Sequence, residues 1–222
     1  YSDNREFGIR VEVTALSRVY KEGFFILAFN MSKFAYGGFT RITIFHQLGD
    51  EKLGIFSTAW QFVPLSTLFF AQVTRTWRLT ITQCIKHGDR AAFRKQICSL
   101  VITVFAPTLL ATTVILLYGG EVIHLVFNDQ YAAASELMPF IALYFLVIAL
   151  DTVSVLLAVA LSLSRVVAVA YATFGVVTVL ACLVVAELKS LNLLLVTIIA
   201  GHFLAASVTA ALSLVKLRTA FR

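Results

Sequence analysis

Two positive charges stand in an otherwise apolar stretch, residues 23–45: Lys33 and Arg41. If that stretch is a helix, Lys33, Gly37, Thr40, Asn30 and Arg41 fall within an arc of about 100° on one face. Ala28, Ala35, Phe39 and Ile42 lie opposite. Inside a bilayer each charge costs roughly 2.5–3.5 kcal/mol on insertion scales, so such a face lines water or a polar ligand. The alternative is snorkelling, in which the long stems carry the charges to the interface. A second polar set follows in residues 54–74, where Gly54, Ser57, Thr58, Gln61 and Gln72 share a side and Pro64 bends the chain. The third feature is Asp151, in the middle of residues 138–161, with Tyr144 and Ser162 within about 20° of it on a helical wheel. A carboxylate there takes a proton or a cation. Three roles stay open: an ion pair with Lys33 or Arg41, a proton- or cation-linked switch, or a protonated side chain facing lipid. The candidate cavity residues are therefore Lys33, Arg41, Asn30, Thr40, Gln61 and Tyr144, with Asp151 as coupling group or counter-ion.

Other chemistries find no residues. His46, His87, His124 and His202 do not form metal-ligand spacing and read as interfacial or packing residues. Cys84, Cys98 and Cys182 are scattered, with no CxxC, and read as free thiols. No Walker motif, G-x-G-x-x-G, H-E-x-x-H or nucleophile elbow occurs. The expectation is a non-enzymatic chain with no catalytic residues, no metal and no cofactor.

The elements that must hold these groups are membrane spans. Of 222 residues, 59% are hydrophobic and 14% charged, with mean hydropathy +0.89. A soluble domain carries about 25% charged residues, so a soluble enzyme or a disordered chain is excluded. Six segments approach the ~20 apolar residues of a bilayer span: 23–45, 54–74, 98–118, 138–161, 166–186 and 191–214. They are too long for strands and lack barrel alternation. The predicted class is all-α, polytopic, with a connector at 1–22, a six-helix membrane domain at 23–214 and a tail at 215–222. Tyr1 in place of a start Met predicts a piece of a longer protein without a signal peptide.

The net charge of +6 need not mean nucleic acid. Arg5, Arg10, Arg18 and Lys21 precede the first span. Arg75, Arg78, Lys86, Arg90, Arg94 and Lys95 follow the second, Arg165 joins the fourth to the fifth, and Lys216, Arg218 and Arg222 close the chain. With alternating spans all of these share one side, and only Lys52 and Lys189 lie on the other. The positive-inside rule then places both ends in the cytoplasm. The basic loop 75–95 reads as a topology determinant resting on anionic headgroups, or as a contact for a phosphate-bearing substrate. In the opposite loop, 119–136, the apolar residues 122–127 predict a short interfacial helix.

That loop also carries a family resemblance. Gly120-Glu121-Val122-Ile123, then Val126-Phe127, Tyr131-Ala132-Ala133-Ala134 and Leu137-Met138-Pro139, leading into a long apolar span, resembles polysaccharide flippases of the O-antigen (Wzx) type. These belong to the multidrug/oligosaccharidyl-lipid/polysaccharide exporter superfamily. Leu48-Gly49-Asp50 with Leu53-Gly54-Ile55-Phe56-Ser57-Thr58-Ala59 is similar to the family's G-x-Y-x-x-A entry to the next helix, with Phe56 where Tyr is usual. His87-Gly88-Asp89 before a basic run is similar too, whereas Val73-Thr74-Arg75-Thr76 stands where many members have proline. The resemblance implies the C-terminal six-helix lobe of a two-lobe transporter in a bacterial cytoplasmic membrane, with an N-terminal lobe as its partner. It implies alternating access, an undecaprenyl-diphosphate-linked oligosaccharide as cargo, surface polysaccharide or lipopolysaccharide assembly as the process, and a cationic cavity to which Lys33 and Arg41 fit. Its rivals are a drug or cation antiporter of the same superfamily, a membrane glycan polymerase or ligase subunit, and a non-transporting assembly subunit.

Overall fold

The computed structural model describes residues 13–127 and 129–220. They form α1 (Val13–Leu48), α2 (Asp50–Trp60), α3 (Phe62–Lys86), α4 (Arg90–Phe127), a 3-10 segment (Asp129–Leu137), α5 (Met138–Ala160), α6 (Ser164–Ala186) and α7 (Leu191–Ala220). Among the described residues there is no strand, so the chain is all-α. Five helical stretches are long and apolar enough to cross a membrane: 50–86, 90–127, 131–160, 164–186 and 191–220. The first helix, α1, has the length, with 36 residues or about 54 Å, but its polar face lowers its apolar content. The predicted connector 1–22 lies mostly outside the described residues.

The connections follow from local chemistry. Pro64 has no N–H and its ring crowds the carbonyl four residues earlier, which is that of Trp60. The hydrogen-bond ladder is accordingly interrupted at Gln61, which keeps helical dihedrals (φ −62°, ψ −21°), so the predicted span 54–74 runs through α2 and α3 within one helical stretch, 50–86. At the end of α3, Gly88 adopts φ +67°, which places the Asp89 N–H on the Cys84 carbonyl at 3.1 Å and stops the helix. The Asp89 carboxylate then accepts the Ala92 N–H at 2.9 Å and starts α4. His87-Gly88-Asp89 is thus a stop followed by a start. The interfacial helix expected within 119–136 is instead the last turns of α4, which runs unbroken to Phe127 with Pro107 inside it.

In the bundle, α5 packs against α3, α4 and α7; α7 packs against α6, and α6 against α1. The most enclosed helix is α5, with 67% of its most apolar stretch buried against 22% for α4. The outer faces are apolar, with Leu109, Leu110, Leu116 and Leu117 of α4 and Val176, Leu180 and Val184 of α6 exposed. A surface of that kind is matched to lipid rather than to water. Close approach sets the α6–α7 contact: a Cβ on Gly201 would lie 1.9 Å from the Thr178 hydroxyl oxygen, so only glycine fits there.

Candidate functional site

Asp151 is buried at the centre of the bundle and gathers three side chains from three other helices. Lys33 of α1 places its ammonium 2.5 Å from Oδ2. The hydroxyl of Tyr171, on α6, donates to Oδ1. The Nε2 of His202, on α7, stands 3.5 Å from Oδ2. Because α1 packs on α6 rather than on α5, it is the long lysine stem that carries the charge to Asp151. The ammonium also lies over two aromatic faces, 4.7 Å from the Phe29 ring centre and 5.0 Å from that of Tyr171.

A second layer orients the first. Tyr144 lies seven residues, about two turns, before Asp151 and so shares its face of α5. Its hydroxyl is 2.8 Å from His202 Nδ1. If Nδ1 accepts that proton, the neutral imidazole carries its own on Nε2, pointing toward Asp151. Nε2 is buried and makes no hydrogen bond among the described residues. Trp60 lies against Tyr144 with ring centres 5.0 Å apart, and Tyr36 donates to the Ile198 carbonyl at 3.1 Å.

These residues wall a cavity of about 200 Å³ between α1, the α2–α3 break, α5, α6 and α7, with Lys33, Tyr36, Trp60, Tyr144, Tyr171 and His202 in its lining. Of the ion pair Lys33 lines the cavity and Asp151 does not: 33% of the Lys33 side chain is exposed, against 6% for Asp151. A polar molecule entering the cavity meets the ammonium first. Among the described residues no cluster of three or more His, Cys, Asp or Glu could hold a metal ion.

The structure brings together Lys33, Tyr144 and Asp151 from the sequence-derived set and separates the others. Thr40 is buried and donates to the Tyr36 carbonyl of its own helix at 3.0 Å. Arg41 is exposed and borders a much smaller crevice with Thr40, Phe56 and Trp60, one turn beyond the main cavity. Asn30 is exposed and its amide bonds the Ile26 carbonyl at 2.9 Å. Gln61 is exposed at the α2–α3 break. Sequence reasoning left out Tyr171 and set His202 aside as packing. The available signal was the ionisable side chain of His202 within a charge-free span, next to a glycine that permits close approach.

No family model matches the chain, and no curated protein and no solved structure matches it either.

Proposed function

We propose that this chain forms one lobe of a membrane carrier that moves an undecaprenyl-diphosphate-linked oligosaccharide across the cytoplasmic membrane by alternating access. The observation that carries the reading is the unequal exposure of the intramembrane pair, Lys33 open to the cavity and Asp151 enclosed. A buried ion pair is weak evidence for stability, and its best-attested use is as a specificity or switching device. Here Lys33 exchanges partners. At rest it neutralises Asp151; when a diphosphate enters, the ammonium turns to the phosphate oxygens. Tyr171 still donates to Asp151, and His202, already 3.5 Å away, supplies the replacement positive charge by taking a proton. Tyr144 then rotates its hydroxyl so that the Nδ1–H donates to it. Net charge in the site rises by one when the proton binds and falls when the anion does. Anion and proton occupancy are thereby linked.

The cavity, about 200 Å³, would take the diphosphate alone. The remainder lies against a second six-helix lobe, which is part of the proposal and comes from the family resemblance. Lys33→Ala is expected to abolish export of the lipid-linked glycan in cells while insertion and expression of the full-length protein persist. Lys33→Arg retains measurable export. Normal export by Lys33→Ala refutes the reading.

One observation favours a second reading. Tyr36, Trp60, Tyr144, Tyr171 and Phe174 make the wall largely aromatic, with the Asp151 carboxylate enclosed behind it, which suits an organic cation exchanged for protons. The two readings predict opposite effects of Lys33→Ala, since removing the competing ammonium tightens cation binding and removes anion binding.

A further inference from the structure

Away from the central cavity, the N-terminal end of α4 and the C-terminal end of α7 both flank α5 and leave a groove of about 570 Å³ between them. Its lining divides by chemistry. Arg94 and Arg218 are exposed on its two sides, with Arg90 at the start of α4, while Phe93, Ile97 and Leu217 form an apolar floor. Among the described residues neither Arg94 nor Arg218 has an acidic partner. From Ile97 to Gly120 on α4, and from Leu191 to Val215 on α7, the chain carries no Asp, Glu, Lys or Arg. Both guanidinium groups therefore sit where an apolar run ends, at the level of lipid phosphates.

We propose that this groove binds one anionic diacyl phospholipid, its phosphate held by Arg94 and Arg218 and an acyl chain lying on Phe93, Ile97 and Leu217. Guanidinium forks match phosphate oxygens with paired donors and are readily brought to a low-dielectric interface. A free phosphate would use the two arginines but leave the floor exposed. A zwitterionic lipid would cover the floor but bring its own cation to the arginines. A diffuse response to any negative surface would not distinguish these arginines from Arg75 and Arg78 on α3. The site rests on the groove alone and is independent of the cargo of the central cavity.

The test uses the whole chain purified in maltoside micelles, with phosphatidylglycerol as probe and lipid retention read by native mass spectrometry. Phosphatidylglycerol should be retained over phosphatidylcholine, and the Arg94→Gln/Arg218→Gln double variant should lower that preference about tenfold or more. Arg75→Gln/Arg78→Gln should leave it intact. Equal loss in both double variants, or loss in neither, overturns the proposal. A second measurement needs no substitution. Cys98 is exposed and lines the groove, whereas Cys84 is half-buried and Cys182 buried. Phosphatidylglycerol should slow maleimide labelling of Cys98, and phosphatidylcholine or glycerol phosphate should not. Unchanged labelling with phosphatidylglycerol, or equal protection by glycerol phosphate, overturns it.

Discussion

Replacing the members of the central ion pair one at a time should give unequal losses, and their double replacement should be milder than the sum. Lys33→Met leaves Asp151, 6% exposed, without its nearest cation. Breaking a buried pair by removing one partner costs about 3–5 kcal/mol. Tyr171 and His202 still face the carboxylate, so the lower end applies, about 3 kcal/mol. Asp151→Asn leaves the ammonium unpaired instead, but a third of that side chain already reaches the cavity, so solvent takes over and the loss is about 1 kcal/mol. Lys33→Met/Asp151→Asn removes both charges and should fall near the Asp151→Asn value, giving a coupling of about 2–3 kcal/mol. For a chain of this size 1 kcal/mol corresponds to about 2–4 °C in Tm. Lys33→Met should therefore melt about 6–12 °C below wild type, and the double variant within about 4 °C of it. The assay is thermal unfolding in micelles followed by size-exclusion, paired with glycan export in cells. The double variant should be stable yet inactive, because it lacks both the anion-binding ammonium and its counter-ion. Equal single-variant losses, or additive losses in the double variant, would refute the electrostatic account. A stable double variant with full export would reduce the pair to a structural role.

His202→Gln keeps a hydrogen-bonding side chain but cannot carry the exchanged proton. Wild-type export is expected to rise as pH falls, and the variant's pH profile should be flat; an unchanged profile removes His202 from the coupling. Gly201→Ala should destabilise the α6–α7 contact by about 1–3 kcal/mol, seen as a lowered melting temperature. Thr178→Ala in the same chain should restore part of that loss, because it removes the hydroxyl that the new methyl would meet at 1.9 Å.

Much of the scaffold was legible because it depends on local rules. Charge-free runs of about twenty residues specify membrane-length helices, and Gly88 with Asp89 marks a helix end and the next start. Pro64 was legible as a bend, but its place was not. The clash falls on the carbonyl of Trp60, and the backbone resolves it by interrupting the hydrogen-bond ladder at Gln61 while keeping helical dihedrals there. The wheel put Asn30, Lys33, Thr40 and Arg41 on one face and could not say what that face meets. Asn30 bonds its own helix, Arg41 lies one turn beyond the cavity, and only Lys33 is opposite a buried carboxylate.

The sequence by itself determined that the chain is helical and built for lipid, and that Lys33 and Asp151 are costly inside a span, with pairing, snorkelling and protonation all open as ways to lower that cost. These follow from transfer free energy, which depends on residue type and on neighbours along the chain. Only the tertiary structure decided which partners they have. Lys33 sits on a helix that packs against α6, yet it reaches α5; Tyr171 and His202 complete the site because α6 and α7 approach closely at Gly201. Contacts among residues more than a hundred positions apart depend on how helix faces fit, which no local pattern encodes.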